Sequence, residues 1–280
     1  MSEDNSENVV TDKIATEKVV GEISEVVREK AKTEDREFRG TGRPDIKKLF
    51  EAGAHFGHKS SSWNPKMAPY IHSKRGDSHI IDLEKTVEQL AKALPFVTET
   101  ASKGRQILFV GTRKQIRDIV KTAAESVDMP FVTERWLGGM LTNSATVVSQ
   151  VKKLKMLEKK MVSGELANRY NKLEVQRFQE EIDQLNAKYG GIKELRGKPG
   201  AVFIASAVAD AGAVREAAKL GVPVVAICDS NADPTLVDWV IPANDDAIAA
   251  VELITDYIVN AVREGAAKVV KREEKDKIEK

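Results

Sequence analysis

Three observations predict an α/β fold: a Rossmann- or flavodoxin-like parallel sheet with helices on both faces, carrying an inserted, protruding, coiled-coil-like α-helical hairpin. Apolar runs of four to six residues alternate with helix-period segments, the pattern of strands buried on both faces. One long charged stretch, residues 143–189, breaks that alternation with an apolar seam of its own. Charged residues make up 31% of the 280 and aromatics only 5%, a balance that suits long solvated helices better than an all-β fold.

The chain opens on an acidic extension, residues 1–44, read as disordered or partly helical. Residues 1–37 hold 11 acidic and 6 basic side chains. Val19, Ile23, Val26 and Val27 have the spacing of a short amphipathic helix. Phe38 to Pro44, with two glycines and a proline, is a linker.

The α/β body is predicted over residues 45–142 and 190–262. Asp45 is placed to cap a short helix from Ile46 to Ala54. A loop follows in which Trp63 packs while Lys59, Lys66, Lys74 and Arg75 face outward. His79–Leu83 reads as a strand and Glu84–Ser102 as a helix, with Pro95 inside it. Strands are then expected at Ile107–Val110, Pro130–Thr133, Ala201–Ala205, Val222–Cys228 and Trp239–Ile241. Helices are expected at Gln115–Ser126, Ala209–Leu220 and Asp245–Val262. Right-handed crossovers would bring the turns after the strands to one edge, where ligands usually bind.

In the insertion, Val147, Val151, Leu154, Leu157 and Met161 recur at three and four residues. Ser163-Gly164 interrupts, and Leu173, Phe178, Ile182 and Leu185 resume the pattern. The first arm is basic, with Lys152, Lys153, Lys155, Lys159 and Lys160, and the second turns acidic at Glu174, Glu180, Glu181 and Asp183. The tail, residues 263–280, has 7 basic and 5 acidic side chains and reads as frayed helix or disorder.

Net charge is +1, but outside residues 1–37 there are 38 basic and 32 acidic side chains. Modest, locally clustered positive charge is compatible with RNA. The single cysteine, Cys228, sits in an apolar run, reads as a core hydrophobe and suits a reducing compartment. Neither a signal-peptide run nor a membrane span of roughly 20 apolar residues is found, so a cytoplasmic protein without membrane contact is expected.

Two stretches carry chemistry. In Glu134 to Asn143, Gly138-Gly139 permits a sharp turn or close approach. Arg135 and Trp136 offer a guanidinium and a large ring, and Thr142, Asn143 or Ser144 can cap the next helix, whose free N–H groups favour an anion. A tryptophan plugging the core beside a glycine turn fits the same residues. In Phe109 to Lys114, a strand–turn–helix with Thr112, Arg113 and Lys114 can face a phosphate, but it lacks both GxGxxG and the Gly-Lys-Ser/Thr of a P-loop. His55 and His58 have a metal-like spacing without nearby cysteines or carboxylates. Asp229, Asn231, Asp233, Asp245 and Asp246 gather after strands, where such residues usually cap helices and shape turns. No nucleophile with a plausible base is found, so no enzyme, cofactor, metal or small-molecule substrate is expected.

Arg135 to Asn143 resembles the signature of the bacterial small-subunit ribosomal protein two family. So do Ala54-His55-Phe56-Gly57-His58, Trp63-Asn64-Pro65-Lys66-Met67, Ile80 to Thr86, Phe109 to Lys114, Pro223 to Ile227, Asn231-Ala232-Asp233-Pro234 and Asn244-Asp245-Asp246-Ala247. These follow the family's order from about Ile46 to Val262. The chain departs from it at Ser144, where an aromatic is common, at Pro242-Ala243, where Pro-Gly is common, and at Ser206-Ala207-Val208, where an Asp-rich turn is usual.

The resemblance implies a structural RNA-binding protein of the small ribosomal subunit that joins late in assembly. It also implies neighbouring ribosomal proteins as partners, including the mRNA-binding ribosomal protein one, whose recruitment it helps. On the matching motifs, the RNA-contact candidates are Lys59, Trp63, Lys66, Arg113, Lys114, Arg135, Trp136, Thr142, Asn143, Lys152, Lys153 and Lys155. The alternative is a nucleotide-binding flavodoxin-like enzyme with the hairpin as a lid.

Overall fold

The computed structural model describes residues 42–278. The short amphipathic helix expected in the leader lies outside the described residues. Asp45 caps α1 (Ile46–Glu51) as expected, its carboxylate accepting from the Lys47 N–H at 2.9 Å. The chain then builds a small antiparallel sheet from β1 (Phe56–Lys59), β2 (Ile71–Arg75) and β3 (Ser78–Ile81), in the order β1-β3-β2. This corrects the sequence reading, which took Lys59 to Arg75 for a loop and His79–Leu83 for a strand of the α/β alternation. The strand β2 is exposed over four of its five residues, so it carries no apolar period to read.

From α2 (Leu83–Ser102) onward the expected alternation appears. β4 (Ile107–Val110), α3 (Arg117–Glu125) and β5 (Phe131–Val132) precede the insertion. The insertion itself holds α4 (Ser144–Val162), α5 (Glu165–Arg169) and α6 (Lys172–Tyr189). After it come β6 (Ala201–Ile204), α7 (Ala211–Lys219), β7 (Val224–Cys228), β8 (Trp239–Pro242) and α8 (Ile248–Ile278). The last helix runs through most of the charged tail, where fraying or disorder was expected.

Strands β4 to β8 form one wholly parallel sheet in the order β5-β4-β6-β7-β8. Counted from the first parallel strand this is 2-1-3-4-5, the flavodoxin-like order, with its switch point between β4 and β6. Successive strand residues face opposite sides. Ile107, Phe109 and Phe203 enter a core with Leu90 and Val97 of α2, Val120 of α3 and Ile254 and Ile258 of α8. Leu108, Val110, Val202 and Cys228 enter a second core with Ala213 and Ala217 of α7. The sheet is thus covered on both faces, and its strands read as unbroken apolar runs because neither face meets water. Cys228 ends β7 fully buried, and burial pushes its thiol pKa up.

The hairpin is held by a narrower seam. Leu154, Leu157 and Ile182 are buried, with Met161, Phe178, Leu185 and Tyr189 at the edges. Val147 and Val151 pack instead on the second core at the hairpin base, and Leu173 stays exposed. The acid–base division of the arms is partly internal: Lys153 pairs with Glu181 across the seam. A capping box starts α6, Asn171 accepting from the Glu174 N–H at 2.9 Å while Glu174 accepts from the Asn171 N–H at 3.1 Å.

Leu154 is fully buried in the seam, so Leu154→Ala should destabilise the hairpin by about 2–5 kcal/mol. Amide hydrogen exchange should then accelerate across α4 and α6 while β6 and β7 keep their protection. Equal acceleration in both regions would show that the hairpin and sheet open as one unit.

Candidate nucleic-acid interface

Between β5 and α4 the chain runs through the arginine–tryptophan–glycine loop, and one carboxylate organises it. Glu216, on α7, accepts the Trp136 indole Nε1–H at 3.1 Å and the Gly139 N–H at 2.7 Å on Oε1. Its Oε2 accepts the Leu141 N–H at 3.1 Å and both the Thr142 N–H and hydroxyl at 3.2 Å. Burial works to raise this carboxyl's pKa, but hydrogen bonds from Gly139, Trp136, Leu141 and Thr142 outweigh burial and hold it below the usual value. The Trp136 ring lies against Gly212, one helical turn before Glu216, where a Cβ would stand 3.2 Å from the ring. Trp136 is half-buried against the second core.

The anion predicted for this loop is therefore the protein's own, and its donors come from the turn rather than from the start of α4. Asn143 stands at the N-cap of α4 without capping it, accepting instead from the Thr146 hydroxyl at 3.0 Å. Gly139 has φ +88°, a left-handed conformation that brings its N–H toward Glu216. On the other side of Arg135, Glu134 is held by Arg117 of α3 through contacts of 2.8 and 2.9 Å. Arg135 itself is exposed and has no ion pair among the described residues.

The carboxyl edge of the parallel sheet repeats this arrangement. After β4, the Thr112 hydroxyl donates to Asp210 at 2.8 Å and the Thr112 N–H at 3.3 Å. The turn that sequence reading offered to a phosphate faces a carboxylate. Burial raises the pKa of Asp210 against those two hydrogen bonds. Arg113 pairs with Asp245 at 3.1 Å and with Asp246. Asp245 is fully buried, which raises its pKa, and it also accepts the Ser206 hydroxyl at 2.6 Å.

His58, Asp229 and Asp245 each offer a ligand-type atom within 4.8 Å of one another. His58 Nδ1 is 3.0 Å from Asp229 Oδ2, and Ser230 donates its hydroxyl to Asp229 at 2.9 Å. His58 and Asp229 are engaged with one another, while the carboxylate of Asp245 is taken up by Arg113 and Ser206. His55 takes no part in the cluster: its ring stacks on Phe50 and lies tilted against Phe56, with centroids 4.4 and 4.0 Å apart.

The twelve candidates fall into three groups. Arg135, Trp136, Thr142 and Asn143 lie at the hairpin base, with Lys152, Lys153 and Lys155 along α4. Lys59 and Trp63 belong to the small sheet and its loop, where the Trp63 ring lies tilted against buried His79 with centroids 4.8 Å apart. Lys66 is tied to Asp233 at 2.9 Å and to the Thr235 hydroxyl at 2.8 Å. The Asp233 carboxyl pKa is held down to about 2 by the Thr235 hydroxyl, then by Lys66 and the Thr235 N–H. Arg113 and Lys114 follow β4. Lys155 pairs with Glu194 at 2.7 Å. Lys59, Lys114 and Lys152, like Arg135, are exposed without an ion pair among the described residues. The organising acids Glu216 and Asp210 were missed, because each acts on a loop far away in sequence.

Two contrasts test this geometry. Gly139→Ala should cost about 1–2 kcal/mol by chemical denaturation, for an L residue forced left-handed. Gly138→Ala, with open space around its Cβ position, should stay within about 0.5 kcal/mol of wild type. Arg113→Ala leaves buried Asp245 without its cation and should cost about 3 kcal/mol. Lys66→Ala breaks an exposed pair and should cost at most about 1 kcal/mol. Equal losses in either contrast would refute the corresponding assignment.

Comparison with known proteins agrees with the resemblance. The sequence profile of the family described as Ribosomal protein S2 matches residues 49–265. The chain is 45% identical over 225 residues to the small ribosomal subunit protein uS2 of Thermus thermophilus, covering 80% of this chain and 88% of that protein. It is 46% identical to the uS2 of Roseiflexus sp., covering 79% and 84% of the two chains. Against the uS2 of Chloroflexus aggregans the identity is 47%, over 79% of this chain and 92% of its relative. That kinship sets the nucleotide-binding enzyme reading aside. With a profile match across most of its length and relatives this similar along most of theirs, the chain belongs to the ribosomal protein S2 family.

Proposed function

We propose that the chain is a structural component of the small ribosomal subunit that binds small-subunit ribosomal RNA through side-chain cations and rings on a rigid α/β body. The observation that carries this reading is Arg135, exposed and without an ion pair among the described residues, on a loop whose Gly139, Leu141 and Thr142 N–H groups Glu216 has already satisfied. Backbone N–H groups are thus spent inside the protein, and the side chains are left to meet phosphate. Lys59, Lys114 and Lys152 are available in the same way. Lys66, Lys153 and Lys155 sit in exposed ion pairs worth at most about 1 kcal/mol, so a phosphate can recruit them at little cost. Arg113, bound to a buried carboxylate, acts by shaping the edge. Trp136, Thr142 and Asn143 fix the loop beside the contact, and Trp63 braces the small sheet.

In this reading residues 45–142 and 190–262 form the body and residues 143–189 an arm laid along RNA or a protein neighbour. Late entry into the subunit and support for recruiting ribosomal protein one belong to the same proposal and rest on family membership.

Phosphate neutralisation sets the measurable behaviour. Arg135→Ala or Lys152→Ala should weaken binding to small-subunit RNA and lower the salt slope by roughly one, without changing base preference. In sucrose gradients the protein should comigrate with the small subunit at low salt and leave it as salt rises. A protein that stays at the top of the gradient at every salt would sink the proposal.

A further inference from the structure

We infer that Glu216 is a positioning residue for the RNA contact: by gathering five donors from Trp136 to Thr142, it fixes the loop that presents Arg135 beside the start of the hairpin. This rests on the RNA-binding reading above and deepens it. Met140 and Leu141 anchor the far end of the loop in the second core, while Glu216 takes up the N–H groups of Gly139, Leu141 and Thr142. The loop contains two adjacent glycines and no regular secondary structure, and each residue it orders costs roughly 1–2 kcal/mol of backbone entropy. Arg135 makes no ion pair among the described residues, and the backbone on either side of it is anchored. On one side Arg117 anchors Glu134; on the other Glu216 draws in Gly139, Leu141 and Thr142.

Glu216 and Gly212 are four residues apart and share one face of α7. Gly212 leaves room for the indole ring, and Glu216 takes its N–H. Trp136, next in sequence to Arg135, is thereby clamped on a helix of the body. An amide in place of the carboxylate can hold only half of this set. The side chain introduced by Glu216→Gln would retain one acceptor oxygen, able to serve Trp136 and Gly139. Its NH₂ would face the Leu141 and Thr142 N–H groups, donor against donor. The carboxylate also fills the loop with negative charge, so phosphate is directed outward to the guanidinium instead of into the backbone.

The test is a double-mutant cycle with full-length protein and small-subunit particles depleted of it. Wild type, Arg135→Ala, Glu216→Gln and the double variant are titrated at several salt concentrations. Arg135→Ala should weaken binding about tenfold and lower the salt slope by about one. Glu216→Gln should reproduce most of that loss, and the double variant should bind no worse than the weaker single one. Faster amide exchange at Leu141 and Thr142 should accompany it. Independent, additive losses would overturn the inference, as would wild-type binding by Glu216→Gln when Arg135→Ala is weakened. Wild-type binding by Arg135→Ala would instead remove the RNA contact itself. Should Glu216→Gln fold poorly, Glu216→Asp keeps the charge and shortens its reach; the same cycle with it must again be non-additive.

Discussion

The structure depends on carboxylates that satisfy backbone and hydroxyl donors at the ends of secondary-structure elements. A parallel sheet delivers all its strand-to-helix turns to one edge, each with N–H groups lacking a ladder partner. In many folds of this order that edge holds a phosphate or nucleotide. Here Asp210 answers Thr112, Asp229 answers Ser230, and Glu216 answers the tryptophan–glycine loop. The acids are internal counterparts of the ligands such edges attract. They convert a binding crevice into a braced scaffold whose outward-facing cations remain for other work.

How these acids titrate follows from their surroundings. For Glu216 donors outweigh burial, so its folded pKa lies below the unfolded one. Its contribution to stability is present above the unfolded pKa and is lost as pH falls through the folded one. Asp210 and Asp245 run the opposite way, because burial raises their folded pKa. Each destabilises the fold as pH rises through the interval between its two values. The edge thus carries opposing slopes on the acid side, and removing one acid would tilt the balance that the others set.

Much of the fold was legible because burial on both sheet faces leaves a strong trace. Ile107–Val110 and the apolar part of β7 could hardly be anything else. The small sheet was not legible, since β2 is solvent-facing over all but its first residue and shows no apolar alternation. The site was legible in half. Sequence offered the helix start after Thr142 and the turn at Thr112 to an anion, a local property. It did not show whose anion, since Glu216 lies 77 residues from Gly139 and Asp210 lies 98 from Thr112. For the same reason Arg113 looked like a free cation until Asp245, 132 residues on, was placed beside it.

Cys228 carries a consequence for experiment. It is the only thiol in the chain, it ends the interior strand β7, and no solvent reaches it in the folded state. Thiolate, the form that alkylating reagents attack, is suppressed further by burial beside Asp245 and Asp229. Labelling therefore requires the sheet to open, and its rate reports that opening. The wild-type protein carries its own single-site clock for the integrity of its body, needing no introduced probe.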